Sequence, residues 1–256
     1  KIRTMTEGNS AKIIFFFALP LMFGNIFQQM YTVVDTMIVG QALGVQALAA
    51  LGAADWLNWM VLGRIQGISQ GFAILMAQEF GAGNIKQLQK VIGSSVILSA
   101  AASILFLIVT QSIALPVLEI LQTPEEIMGM SLLYLRVMFL GIPVVMAYNV
   151  LASILRALGD GKTPLYAMVV ASFINIALDL LFVLVFHWGI AGAAAATVIA
   201  QLCSSLYCFS AIRKITIFSF EKEDFHADGV ICKKLLSLGA PMAFQNAIIA
   251  VGGMIV

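Results

Sequence analysis

Charge is scarce in this sequence. Charged side chains make up 11% of the 256 residues and hydrophobic ones 61%, with a mean hydropathy of +0.99, whereas soluble domains carry about 25% charged residues. So few charges cannot cover a water-exposed surface. The net charge of +1 and the absence of any dense basic run exclude nucleic acid as a partner. Histidine is limited to His187 and His226, both outside the long apolar runs, and no His-Glu-x-x-His motif occurs, so an intramembrane enzyme would lack its base or metal. Cys203, Cys208 and Cys232 are odd in number and lack zinc-site spacing; they read as apolar fillers. Gly161-Lys162-Thr163 lacks the spaced glycine loop that cradles phosphate, which excludes an ATPase reading. No cleavable signal core of about 7–15 residues is evident.

What is present is a series of apolar runs. Those able to span about 20 residues lie at Ile13–Val39, Ala47–Ala77, Val91–Leu115, Met130–Leu155, Pro164–Phe186 and Ile190–Ile212, with a seventh starting near Leu235. Twelve of the 14 Lys and Arg residues fall in the termini and loops of one side: Lys1, Arg3, Lys12, Lys86, Lys90, Arg156, Lys162, Arg213, Lys214, Lys222, Lys233 and Lys234. The opposite loops, Gly40–Gln46, Pro116–Gly129 and His187–Gly189, carry none. The positive-inside rule then predicts a cytoplasmic amino terminus.

The seventh run repeats the first at a constant offset. Lys12, Pro20, Phe23 and Asn25 recur as Lys233, Pro241, Phe244 and Asn246. Six spans separate the copies, so both enter the membrane from the same side, the mark of a parallel repeat. The predicted organisation is a six-helix amino-terminal lobe over 1–214, a cytoplasmic linker over 215–234 and the start of a second lobe over 235–256. Because the run from Pro241 to Val256 is short for a span, a carboxy-terminal lobe of similar size is expected to follow.

Charged groups at membrane depth cost at least about 2.5–3.5 kcal/mol on insertion scales and each needs a partner, a wet cavity or a task. Asp35 and Asp179 come late in two outward-running helices, so they occupy similar depths and can share one cavity. Asn175 lies one turn before Asp179 on the same face. Thr197 reaches a comparable depth from the inward-running sixth helix; Asn149 sits deeper in the fourth and Tyr134 near its outer end. Two acids at one depth are what a proton-coupling site requires. Asp55 belongs near the outer mouth, and Arg136 is placed to snorkel to the headgroups. For Arg64, a cavity wall, an acid of the second lobe and lipid are all open. Pro20 interrupts the first helix and serves as a hinge candidate.

Several motifs in order resemble the multidrug and toxic compound extrusion family, within the larger group that includes lipid and polysaccharide flippases. They are Pro20 with Val34-Asp35-Thr36 and Gly40, Gln78-Glu79-Phe80-Gly81-Ala82-Gly83-Asn84, and Arg156-Ala157-Leu158-Gly159-Asp160 through Pro164. Asn175-Ile176-Ala177-Leu178-Asp179 and Gly189-Ile190-Ala191-Gly192-Ala193 complete the set. The resemblance implies an all-α membrane protein, a twelve-helix transporter of two lobes that exchanges cationic or amphipathic drugs for protons or sodium ions across a bacterial cytoplasmic membrane. It maps the ion-coupling site onto Asp35, Asn149, Asn175, Asp179 and Thr197 with Tyr134 nearby; Gln28, Tyr31, Met37 and Arg64 are separate candidates for the substrate cavity. Sodium would use Asp35 and Asp179; no organic cofactor is implied. Partners are small organic cations, membrane lipid and the carboxy-terminal lobe of the same chain. The rival is a flippase for a lipid-linked saccharide, which calls for a strongly cationic cavity. A channel, which would show no ion-driven flux, is a third class.

Overall fold

The computed structural model describes residues 10–215 and 228–255. Among these residues the chain forms helices and no strand, as hydrocarbon demands: with no water to serve the backbone, each segment must satisfy its own amide groups. The helices are α1 (Ser10–Leu43), α2 (Val45–Gly81), α3 (Ile85–Ile120), α4 (Glu125–Leu140), α5 (Ile142–Ala157), α6 (Lys162–Asp179), α7 (Gly189–Arg213) and α8 (Gly229–Ile255), with a π-helical turn over Leu180–Val185 continuing α6. Among the described residues five helices are long and apolar enough to cross a membrane, and the bent pair α4 and α5, taken as one broken span, makes six. This is the all-α membrane fold and the six-span count read from the sequence.

The connections are shorter than the hydropathy pattern predicts. Only Gly44 separates α1 from α2, and its φ of 85° is open to glycine without penalty. The turn after α5 uses Asp160: its Oδ1 accepts from the Lys162 and Thr163 backbone N–H groups at 3.1 and 3.0 Å, and its Oδ2 accepts from the Thr163 hydroxyl at 2.6 Å. The Asp of the Arg156–Asp160 motif is therefore the cap that starts α6. Likewise Asp228 accepts from the Val230 backbone N–H at 2.8 Å, so α8 begins at Gly229, ahead of the expected Leu235. The segment 216–227 of the expected linker lies outside the described residues.

The fourth span is not one straight helix. α4 and α5 meet at Gly141 with a bend of 46°. Pro143 has no N–H to offer the carbonyl four residues back, and α7 presses into the gap: a Cβ on Gly141 would lie 2.5 Å from Val198 Cγ2. Small residues make the same kind of approach elsewhere. Ala193, Ala194 and Ala196 of α7 are fully buried, and Ser204 and Ser205 donate to the Ala167 and Val144 carbonyls at 3.3 and 3.2 Å, tying α7 to α6 and α5. The Ser131 hydroxyl donates to the Ala50 carbonyl at 3.1 Å and ties α4 to α2.

α2 and α8 meet backbone to backbone. Gly63, Gly67 and Gly71, four residues apart, form a side-chain-free stripe on α2. A Cβ on Gly67 would fall 2.5 Å from Ala243 Cα, and one on Gly71 would collide with Gly239. Asn246 Nδ2 donates to the Gly63 carbonyl at 3.1 Å. Asn246 and Pro241, which the sequence repeat pairs with Asn25 and Pro20, thus belong to a helix docked directly on α2. Gly67→Val in the complete protein should lower stability by about 1–3 kcal/mol through backbone overpacking. Gly52→Ala on the same helix meets nothing within 4 Å and should leave the unfolding midpoint of the detergent-solubilised protein unchanged or slightly raised.

Candidate functional site

A polar stripe on α1 faces the middle of the lobe. Gln28, Tyr31, Thr32, Asp35 and Thr36 recur at three- and four-residue steps and line a cavity of about 440 Å³. The Thr32 and Thr36 hydroxyls donate to the Gln28 and Thr32 carbonyls at 2.9 and 2.8 Å, which satisfies these polar groups within the helix. Tyr134, Asn149 and Thr197 complete the opposite wall from α4, α5 and α7.

Behind Asp35 lies Asp179, with no solvent exposure, and the two carboxyl groups are within hydrogen-bonding reach of one another. The sharing of one depth by these two acids, inferred from helix direction, is thus matched by direct contact. Asn175, 1% exposed, connects the pair to α7. With its amide nitrogen turned to Asp179 it donates to Oδ2 at 3.2 Å, while its oxygen accepts from the Thr197 backbone N–H and hydroxyl, each at 3.3 Å. The Thr197 hydroxyl otherwise returns to the Ala193 carbonyl at 3.2 Å. Asn149 lines the cavity but binds locally, donating from Nδ2 to the Val145 carbonyl at 2.8 Å. Among the described residues, one oxygen on each acid, Oδ1 of Asp35 and Oδ1 of Asp179, is buried without a partner. Two carboxylates in contact repel in a dry interior, and a proton or a hard cation between them removes that repulsion.

Two cavity assignments need correction. Met37 is 59% exposed and lies outside the cavity. Two residues on from Asp35, it points to the far side of α1, because successive helical positions are 100° apart. Arg64 is also outside the cavity; it borders a depression against α8 with Phe72, Leu236, Gly239 and Phe244. Arg136 is exposed as expected, with its backbone carbonyl accepting from Gln111 Nε2 at 2.9 Å. Pro20 lies inside an unbroken α1.

Sequence reasoning missed much of the cavity. Asp55, Asn58, Gln66 and Gln70 of α2 line it, as do Tyr148 and Arg156 of α5 and Gln201 of α7. Asp55 is close enough to Asp35 for their charges to interact, and Tyr134 sits in the field of Asp35, Asp55 and Asp179. The signal was available on α2, where Asp55, Asn58, Gln66 and Gln70 follow at steps of three, eight and four residues and so share one helical face.

These features define the class: one lobe of a multi-pass integral membrane protein, with a buried acid pair opening onto a polar cavity. The family model named MatE matches residues 20–181, and the chain belongs to that family. The chain is 33% identical over 99% of its length to the probable multidrug resistance protein YpnP of Bacillus subtilis (strain 168), of which it covers 57%. It superposes with a TM-score of 0.89 on an outward-facing multidrug resistance MATE family transporter of the MOP superfamily, at 25% identity, over 96% of this chain and 55% of that one. The same score and coverage, at 26% identity, relate it to a MOP superfamily transporter from Pyrococcus furiosus whose reversed binding-pocket polarity suggests a different function. The chain therefore spans about half the length of the relatives it matches.

Asp35→Asn should replace the acid–acid contact with an amide donating to Asp179. The expected outcome is a higher unfolding midpoint of the complete protein at alkaline pH, by about the 1.5–3 kcal/mol of a hydrogen bond to a charged group. The gain should shrink in acid, where protonation relieves the native pair; thermal unfolding across pH measures both.

Proposed function

We propose that this chain is the amino-terminal lobe of a secondary active antiporter that exports cationic or amphipathic compounds in exchange for protons. The observation that carries the reading is the contact between Asp35 and Asp179, each with an unpartnered buried oxygen, beside a polar cavity. The names of the relatives support the substrate class. The distribution of Lys and Arg supports a cytoplasmic amino terminus, and the repeat supports a second lobe completing the cavity.

In this mechanism the ion-coupling residues are Asp35 and Asp179, with Asn175 and Thr197 holding Asp179 in place and Asn149 and Tyr134 on the cavity wall. A proton entering from outside binds the pair and neutralises it, which weakens the hold on a cationic substrate and favours its release. Occupancy changes the relative energies of outward-open and inward-open states, since only a difference in affinity between states can drive the exchange. Pro20 gives α1 a place to bend. The lobes then return with the proton, which leaves on the cytoplasmic side. Sodium would find the same hard oxygens, so the test separates the ions. The flippase reading is disfavoured, because Asp35 and Asp55 offset Arg156 in the cavity.

The test is efflux of a fluorescent organic cation from vesicles containing the complete protein, under an imposed proton or sodium gradient. Proton-driven efflux should fall at least about 100-fold in Asp35→Asn and in Asp179→Asn, as loss of an essential proton carrier requires. Efflux that ignores both gradients, or survives both substitutions, would return the protein to the flippase or channel classes.

A further inference from the structure

The opposite face of α5 borders a second hollow. It is apolar, about 650 Å³, and shares no residue with the central cavity: α3 gives Ile92, Val96 and Ser103, α5 gives Pro143, Ala147 and Ile154, and the end of α7 gives Phe209, Ile212 and Arg213. On both long walls the lining extends over twelve residues, eleven rises of ~1.5 Å or about 16 Å. That equals one leaflet of the ~30 Å hydrocarbon core. Pro143, at the α4–α5 bend, marks the mid-membrane end; Arg213 and Ile215 mark the other, on the side that holds most Lys and Arg residues.

Charge and apolar length thus sit where a phospholipid needs them. The Arg213 guanidinium lies over the Phe209 ring, 5.9 Å from its centroid, and makes no ion pair among the described residues. Among the described residues no carboxylate occupies its donor fork, which suits a phosphodiester, and Lys214 follows it at the same helix end. α8 docks on α2 and leaves this groove open. The neighbouring segment 216–227 carries Glu221, Lys222, Glu223 and Asp224, charges that hydrocarbon excludes.

We infer that the groove between α3, α5 and α7 is a phospholipid site that takes one acyl chain along α5 and an anionic headgroup at Arg213.

Native mass spectrometry of the complete protein with dioleoylphosphatidylglycerol or dioleoylphosphatidylcholine tests this. The protein should retain one phosphatidylglycerol about five-fold more strongly than phosphatidylcholine, as one basic residue at an anionic headgroup implies. Arg213→Ala should remove that preference and Arg213→Lys should keep most of it. Ala147→Trp, filling the groove, should lower retention of both lipids; Ala100→Trp fills it from the other wall should the first variant not fold. Equal retention of the two lipids, unchanged by Arg213→Ala and by filling, would mean annular lipid only and overturn the site. Stronger retention after Phe218→Ser with Phe220→Ser would show the chain's own segment occupying the groove and would overturn it equally.

Discussion

The structure depends on one constraint: inside hydrocarbon, a polar group must find its partner within the protein. Helices meet that demand for the backbone, and threonines meet it for themselves by returning hydroxyls to the carbonyl one turn back, as Thr32 and Thr36 do. Serines also tie helices together, Ser131 to α2 and Ser205 to α5, while the Ser204 hydroxyl lies between the Ala200 carbonyl of its own helix and the Ala167 carbonyl of α6. Against this background Asp35 and Asp179 stand out as the acids among the few described side chains, with Tyr148, Arg156 and Gln201 of the same cavity, that keep a buried polar atom without a partner. An unsatisfied acid is costly in such a medium, so its presence points to a visiting ligand more strongly than any satisfied residue does.

Close approach is the second condition. The polar network reaches across helices only where small residues let backbones come near. Ala193, Ala194 and Ala196 seat α7 deep in the lobe, and this brings Thr197 to Asn175 and so to Asp179. Gly141 admits Val198 at the bend of the fourth span. That bend turns α5 so that Tyr148, Asn149 and Arg156 face the polar cavity while Ala147, Val150 and Ile154 face the apolar groove. One broken helix therefore serves two environments.

How much of this was legible in the sequence follows from the kind of signal each feature leaves. Spans write themselves in hydropathy, and acids at shared depth follow from counting residues along two helices that cross in the same direction; the Asp35–Asp179 pair and its partner Asn175 are readable for that reason. Breaks are harder. Gly141-Ile142-Pro143 lies within a run whose hydropathy never falls, so the bend was invisible to a window average. The side a residue faces was the other weak point. Met37 follows Asp35 by two positions, a step that helical phase puts on the far side of α1, and the charge of Arg64 does not say which face of α2 it takes. The polar stripe from Asp55 to Gln70 had the required period but was read residue by residue.

The α2–α8 contact adds a physical reason for two-state behaviour. Long side chains at an interface can stretch and re-pack as helices separate, giving a graded response. Gly67 and Gly71 against Ala243 and Gly239 have no such reserve, so the backbones are either in contact or apart, and packed interfaces of this type are bistable instead of continuously deformable. α2 carries both stripes, the glycines toward α8 and the polar residues from Asp55 to Gln70 toward the cavity, with Gly63 shared: it lines the cavity and its carbonyl accepts from Asn246. The wall of the cavity and the seat of α8 are therefore faces of one rigid element. On the antiporter reading, the acid pair supplies the bias and this side-chain-free contact makes the response discrete.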